Sequence, residues 1–229
     1  MVPKHASTPD SAVAEARHGL VGLALVAGLS VLAGMTDAIG FLATGNFVSF
    51  MSGNTTRLAA DLGEGHWLAA VHLALAILVF VLGNAGGVLF QRLSGRRACL
   101  LLAFLALLLG LAACLPSAWV ALLLAIFAMG MVNAAVEQVN GLPIGLTYVT
   151  GALSRFGRGL GRWLLGERRP GWRSQLVPWT GMLLGGVLGT LLELRFGLAA
   201  LFASSALAAV LAVAFRLVPR GWQLRYLAG

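Results

Sequence analysis

Long apolar runs without charged residues dominate this chain and limit the folds open to it. Clear examples lie at residues 19–36, 67–90 and 98–115, and similar runs fill the second half. Each run is close to the roughly 20 residues that a helix needs to cross about 30 Å of hydrocarbon. Main-chain polar groups find no water in lipid, so each run is expected to be helical. Only 10% of the residues are charged, against about a quarter in soluble domains, which predicts an integral membrane protein.

We predict an all-α, polytopic membrane protein with six transmembrane helices. A single membrane domain is expected at residues 19–218, between a disordered cytoplasmic tail at 1–18 and a second cytoplasmic tail at 219–229. No cleaved signal peptide is expected, because the first 18 residues lack an apolar core before a small-residue cleavage site. The six predicted spans are Gly19–Ala43, Trp67–Phe90, Ala98–Leu115, Trp119–Val139, Leu176–Leu194 and Gly197–Val218.

The basic residues support six spans. If both termini are cytoplasmic, fourteen of the sixteen Lys and Arg residues fall on the cytoplasmic side, and only Arg57 and Arg195 fall on the other. This distribution is the one that the positive-inside rule produces. The net charge of +8 is therefore explained without nucleic acid, and no nucleic-acid partner is expected.

The two halves of the chain resemble each other. Phe50-Met51-Ser52-Gly53-Asn54-Thr55-Thr56-Arg57 returns as Tyr148-Val149-Thr150-Gly151-Ala152-Leu153-Ser154-Arg155, and Gly34-Met35-Thr36-Asp37-Ala38 returns as Gly130-Met131-Val132-Asn133-Ala134. Repeat halves at about 19–116 and 117–219 hold three spans each. An odd number of spans inverts the second half in the membrane, which predicts the 3+3 inverted repeat common among transporters.

The first of these motifs also resembles a family signature. Gly34-Met35-Thr36-Asp37-Ala38, followed by Gly45-Asn46-Phe47-Val48-Ser49-Phe50-Met51-Ser52-Gly53-Asn54-Thr55, is similar to the signature of the YoaK-like proteins. These are bacterial inner-membrane proteins grouped under a domain of unknown function. The resemblance implies a six-helix fold and an inner-membrane location, and it implies no substrate and no catalytic residue.

Polar residues inside the predicted spans are the first candidates for a binding site. Thr36 and Asp37 lie in the first span, and the repeat partner of Asp37 is Asn133 in the fourth. Glu137 and Asn140 follow Asn133 at helical spacing, which would place all three on one helical face. A carboxylate in a span is costly unless it is paired or hydrated, so Asp37 and Glu137 are candidate ion or proton sites. The alternative is that these groups join helices or cap helix ends.

Two polar segments, 44–62 and 141–160, are the second set of candidates. Gly45-Asn46 and Asn140-Gly141-Leu142-Pro143 are predicted to break helices, because Gly loosens the backbone and Pro removes a donor. We expect either re-entrant helices that expose backbone groups to a cavity or helices that lie at the membrane interface. The candidate binding residues of these segments are Asn46, Ser52, Gly53, Asn54, Asn140, Thr150 and Gly151.

No motif indicates an enzyme, a metal or another cofactor. The Gly157–Gly161 stretch lacks the strand and the Lys-Ser/Thr of a phosphate loop, and no His, Cys and carboxylate cluster has zinc spacing. Cys99 and Cys114 match no redox motif. We therefore predict that the protein is not an enzyme and has no cofactor.

Two functions remain open from the sequence. The first is an inner-membrane permease for a small solute or ion, in which the acidic residues would allow proton coupling. The second is a non-transporting scaffold or lipid-binding assembly factor, favoured by six Arg residues between Arg155 and Arg173. The expected partners are anionic lipids at the cytoplasmic face, an unknown solute or ion, and a second copy of the chain, because glycine rows such as Gly83-x-x-x-Gly87 allow close helix packing.

Overall fold

The protein is built from apolar helices. The computed structural model describes residues 9–133, 138–139, 142–143, 149–168 and 171–222. The helices in these ranges are α1 Pro9–Thr44, α2 Met51–Glu64, α3 Trp67–Leu93, α4 Ala98–Ala113, α5 Ala118–Val132, α6 Val149–Leu164, α7 Leu176–Phe196 and α8 Leu201–Leu217. Short 3-10 helices precede α7 at Trp172–Gln175 and α8 at Gly197–Ala200. The prediction of a helical membrane protein is confirmed.

Three stretches of the described chain are long and apolar enough to cross a membrane. They are Arg17–Thr44, Trp67–Leu93 and Trp172–Leu217, and the last contains both α7 and α8. Helices α4 and α5 are also apolar but have only 16 and 15 residues. At 1.5 Å per residue they are about 22–24 Å long, shorter than the hydrocarbon layer. The number of spans is therefore at least three by length and composition.

The fourth predicted span is too long. It was expected to reach Val139, but α5 ends at Val132, and Gln138–Val139 pairs as a strand with Leu142–Pro143. Helix α5 ends before Asn133, the first residue of the predicted helical face of Asn133, Glu137 and Asn140. Glu137 and Asn140 themselves lie outside the described residues.

The N-terminal boundary also differs from the prediction. Helix α1 begins at Pro9, so residues 9–18 of the predicted disordered tail at 1–18 belong to the first helix. Residues 1–8 lie outside the described chain. Apolar runs alone do not reveal the polar first turns of α1. A helix can extend beyond the hydrocarbon once its apolar part is fixed in lipid.

Glycine residues set the closest helix contacts. A Cβ atom on Gly34 of α1 would collide with the carbonyl oxygen of Met182 in α7, and one on Gly185 of α7 would collide with that of Val31 in α1. Helices α3 and α5 meet in the same way, through Gly83 and Gly130. Such backbone-to-backbone packing is typical of membrane helices, where apolar side chains gain nothing by leaving lipid.

The remaining helices complete a single layered bundle. Helix α4 packs against both α5 and α8, α8 also contacts α1, and the short helices α2 and α6 lie against α3 and α7 respectively. The core is lined by leucines and small residues of α1, α4, α5 and α8. The outward faces of α3 and α7 expose large apolar side chains, as lipid-facing surfaces do, including Leu68, Val71, Leu78, Leu82, Leu89, Leu184 and Leu191.

Candidate functional site

Asp37 joins α1 to the loop that leads into α2. Its side chain is only 5% exposed, and its Oδ1 atom accepts hydrogen bonds from the main-chain N–H groups of Val48 at 2.6 Å and Ser49 at 2.9 Å. In the described part of the chain no salt bridge reaches this carboxylate. Two backbone amides therefore satisfy this buried carboxyl group, since hydrogen bonds offset the cost of burying a polar group.

The residues around Asp37 are hydrogen-bonded locally. The Thr36 hydroxyl donates to the carbonyl of Leu32, one turn earlier in α1. Beyond the helix end, the main-chain N–H of Asn46 donates to the Thr44 hydroxyl. Gly45 has φ +75°, a left-handed conformation that glycine adopts without strain. The predicted helix break at Gly45-Asn46 is confirmed, and Thr36 and Asn46 take part in folding the chain there.

Asn54 holds the same loop from its other side. Its side chain is fully buried in the first turn of α2. Its Oδ1 accepts from the N–H of Phe47 at 3.1 Å, while its Nδ2 donates to the carbonyl of Phe47 at 2.8 Å. One side-chain amide thus satisfies both main-chain groups of Phe47, as a neighbouring strand would.

Aromatic rings cover this arrangement. Phe47 stacks on Phe41 of α1 at 4.7 Å between ring centroids and meets Phe50 edge to face at 5.2 Å. A Cβ atom on Gly53 would collide with the Phe50 ring, so glycine is needed where the rings cross α2. Ser52 is exposed. We refer to Asp37, the loop 45–50 and the first turn of α2 as the α1–α2 junction.

Arg57 secures the junction further along α2. Its guanidinium donates to the carbonyl of Gly45, an unpaired acceptor at the end of α1 that a cation satisfies well. The sequence predicts that Arg57 lies on the less basic side of the membrane, but it does not predict this contact. The only signal was its position in the repeated motif, where Arg155 is the counterpart.

The second half places its candidates differently. Asn133, at the end of α5, donates to Oδ1 of Asn84 in α3 at 3.1 Å. The contact joins the two helices that Gly83 and Gly130 bring together. Asn84 was not among the predicted site residues. Two features of the sequence could have indicated Asn84. It follows Gly83 in the repeat, and it is an amide within an apolar run.

Thr150 and Gly151 begin α6 and are not buried. The buried face of α6 contains Ala152, and its Phe156 ring lies 5.1 Å from the ring of Trp172. The Arg155 Nε donates to Oε1 of Gln175 at 2.7 Å, which ties α6 to the start of α7. The candidate binding residues of the first half lie at the α1–α2 junction, whereas Thr150 and Gly151 lie in the first turn of α6. Within the described chain, Asp37 and Thr150 therefore do not form one site.

An acidic cluster at the end of α2 was not predicted. The potential ligand atoms of Asp61, Glu64 and His66 lie within 4.8 Å of one another. The His66 Nδ1 atom is 3.6 Å from the Asp61 carboxylate and 3.3 Å from that of Glu64. The side chains of His66 and Glu64 are more than half exposed, and a cluster of this kind is common on protein surfaces that bind no metal.

Comparison with known proteins identifies relatives. Residues 25–214 match the model of the family described as "Protein of unknown function (DUF1275)". The chain is 49% identical over 211 residues to UPF0700 transmembrane protein RA0705 of Rhizobium meliloti (strain 1021), covering 92% of this chain and 93% of that protein. No solved structure matches the chain. With its apolar helices, this similarity indicates a multi-pass membrane protein.

Proposed function

The chain belongs to the DUF1275 family of proteins of unknown function, and from its helix packing we propose that it is a small inner-membrane permease. Membership is consistent with the resemblance to the YoaK-like proteins seen at residues 34–55. The proposed permease consists of two three-span repeats of opposite orientation and moves a small solute or ion. The single observation that carries the proposal is a correspondence between the contacts of the two halves.

This correspondence holds atom by atom at the glycine contacts. Gly34 lies against the carbonyl of Met182, and Gly130 lies against the carbonyl of Phe80. Gly130 follows Gly34 by 96 residues, and Met182 follows Phe80 by 102 residues. These shifts equal those between the sequence repeats of α1 with α5 and of α3 with α7. The reciprocal contacts follow the same rule: Gly185 abuts the Val31 carbonyl, and Gly83 abuts the Phe127 carbonyl.

The neighbours of whole helices obey the same exchange. In this exchange α1 corresponds to α5, α2 to α6, α3 to α7 and α4 to α8. The contact of α1 with α7 then corresponds to that of α5 with α3, and the contact of α1 with α8 to that of α5 with α4. The contact of α2 with α3 corresponds to that of α6 with α7, and all of these contacts occur. A duplicated and inverted chain is expected to pack in this way. The excess of basic residues on one predicted side supports both termini being cytoplasmic.

The packing divides the proposed permease into two bodies. One is the glycine-packed pair α1 and α7, and the other is the pair α3 and α5 with α2 lying on α3. Asp37 of α1 holds the two amides that precede α2. The α1–α2 junction is therefore one connection between the two bodies, in addition to the contacts of α4 with α5 and α8 and of α8 with α1. We assign the junction the role of a latch at one side of the membrane.

Proton coupling follows from the chemistry of this latch. When Asp37 is ionised, the hydrogen bonds from Val48 and Ser49 are charge-assisted, and a proton on the carboxyl weakens them. Release of α2 then lets one body rock against the other, as in alternating access. The repeat partner of Asp37 is Asn133, which does not titrate and which bonds Asn84 within its own body.

Flux measurements in proteoliposomes test this function. Wild-type protein is expected to carry at least one member of a panel of monovalent cations, inorganic anions, amino acids and sugars, with a rate that depends on the pH gradient. Asp37→Asn is expected to abolish the pH dependence, and Asp61→Asn serves as the control carboxylate in α2. No flux for any solute, or identical pH dependence of wild type and Asp37→Asn, would contradict the assigned role.

A second function is favoured by the helix α6. Its exposed side carries Arg158 and Arg162, and its exposed apolar residues include Leu160, Trp163 and Leu164. A basic amphipathic helix of this kind binds anionic membrane surfaces, which suits a scaffold or lipid-binding assembly factor. Recovery of a stoichiometric partner by cross-linking in cells, together with absent flux, would favour this function over the permease.

A further inference from the structure

An open groove runs along α7 and reaches the start of α6. Its volume is about 480 Å³, and its lining includes Val149 at the start of α6 together with Trp179, Gly186, Thr190 and Leu191 of α7. The other lining side chains are apolar. Gly186 contributes to this space because it has no side chain. A Cβ atom there would have the Gly34 oxygen, at 3.9 Å, as its nearest contact, so the position tolerates a larger residue.

The length of the groove fits a lipid tail. Trp179 and Leu191 are twelve residues apart on α7, which is about 18 Å at 1.5 Å per residue. One leaflet of a bilayer has about 15 Å of hydrocarbon. An apolar groove within a membrane is filled by hydrocarbon, because water in it would lack polar partners.

Positive charge lies at the Trp179 end of the groove. Gln175 precedes Trp179 by one helical turn and accepts from the Arg155 Nε. An arginine has five N–H donors, so this bond leaves the other nitrogens of the guanidinium for an anion. Arg158 follows one turn later in α6, and Arg173 lies over the ring of Trp172 at 5.4 Å. Glu167 is the acidic residue of this region within the described residues 149–168 and 171–180.

We infer that the groove and Arg155 form a binding site for one anionic phospholipid. One acyl chain lies along α7 between Trp179 and Leu191, and the phosphate of the headgroup accepts hydrogen bonds from the Arg155 guanidinium. Both parts are needed: the groove selects a lipid over a free phosphate, and the arginine selects an anionic headgroup over a zwitterionic one. The inference holds whether or not the protein transports a solute.

Native mass spectrometry of the purified full-length chain in detergent tests this site. Phosphatidylglycerol and phosphatidylcholine with identical acyl chains are titrated separately. One phosphatidylglycerol is expected to remain bound at about fivefold lower lipid concentration than phosphatidylcholine, the preference that one arginine provides at a membrane surface. Arg155→Gln is expected to remove this preference but to keep an adduct. Gly186→Leu is expected to remove the adduct of both lipids.

Matched controls separate the site from the general lipid coat. Leu184→Phe adds volume to a lipid-facing position of α7 that does not line the groove, and Arg216→Gln removes a charge from α8. Both are expected to bind like wild type. If Gly186→Leu lowers the melting temperature, Leu183→Trp fills the groove from an exposed position instead. Equal retention of the two lipids by wild type, or adducts unchanged by both groove-filling variants, would overturn the inference.

Discussion

At the scale of single residues, a few polar side chains determine the course of the backbone. Asp37 and Asn54 approach the loop 45–50 from two sides and together satisfy main-chain groups of Phe47, Val48 and Ser49. In the apolar surroundings of this junction, water is a poor substitute for either partner. A buried main-chain group without a partner costs about 1–3 kcal/mol, so both side chains are expected to contribute measurably to stability.

Asp37→Ala is expected to lower the free energy of unfolding by about 1–3 kcal/mol for each amide that loses its acceptor. Asp37→Asn keeps an oxygen acceptor and is expected to lose less. Thermal unfolding in detergent at neutral pH measures both variants, with Asp61→Ala in α2 as the control. Equal stability of Asp37→Ala and wild type would show that the two hydrogen bonds contribute nothing.

Asn54→Asp tests the second contact without changing the shape of the side chain. The new carboxylate can still accept from the Phe47 N–H, but it faces the Phe47 carbonyl with an oxygen where Nδ2 had donated. Loss of that bond and burial of a charge are expected to destabilise the protein by more than about 2 kcal/mol. Thr56→Val, an exposed change two residues further along α2, is the control, and both variants are measured by the same thermal unfolding experiment. A melting temperature within error of wild type would refute the bridging role.

At the scale of helices, glycines decide which pairs come into backbone contact. Helix α1 meets α7 along Gly34 and Gly185, and α3 meets α5 along Gly83 and Gly130. Glycine rows in the sequence predict tight helix packing, but they do not show which helix is the partner. In lipid, apolar side chains of all helices are equally well solvated, so close fit rather than hydrophobicity selects the partner.

Gly185→Ala and Gly83→Ala are expected to destabilise the protein to a similar extent. Each new methyl group collides with a main-chain carbonyl, that of Val31 or Phe127, and such overpacking costs about 1–3 kcal/mol. Gly186→Ala is the matched control, because its Cβ fits and alanine favours a helix by about 1 kcal/mol. The melting temperatures of the three variants in detergent are compared. A loss for Gly186→Ala as large as for Gly185→Ala would contradict the packing.

At the scale of the whole molecule, the correspondence of contacts between halves predicts a topology. If each half has three spans, the link between α2 and α3 and the end of α6 lie on opposite sides of the membrane. By the positive-inside rule, this arrangement predicts that the arginines of residues 155–173 lie on the cytoplasmic side. It also places the proposed lipid site in the cytoplasmic leaflet, where anionic lipids attract basic segments.

Cysteine labelling in intact cells tests this topology. Cys99 and Cys114 are first replaced by Ser, and single cysteines are then introduced as Glu64→Cys and Arg168→Cys, both at exposed positions. A membrane-impermeant maleimide is expected to label Glu64→Cys from outside the cell and Arg168→Cys only after the membrane is permeabilised. Labelling of both from the same side would contradict three-span halves of opposite orientation.

The sequence by itself determined that this chain is a helical membrane protein and where most of its long apolar helices begin, and it predicted which residues of the two halves correspond. Apolar runs and glycine positions are local properties, and lipid enforces helices wherever they occur. Only the tertiary structure decided that Asp37 binds amides eleven and twelve residues away, that α5 ends before Glu137 and that α1 pairs with α7. These outcomes depend on which backbone groups meet in space, and a polar side chain takes the partner that the path of the chain brings within reach.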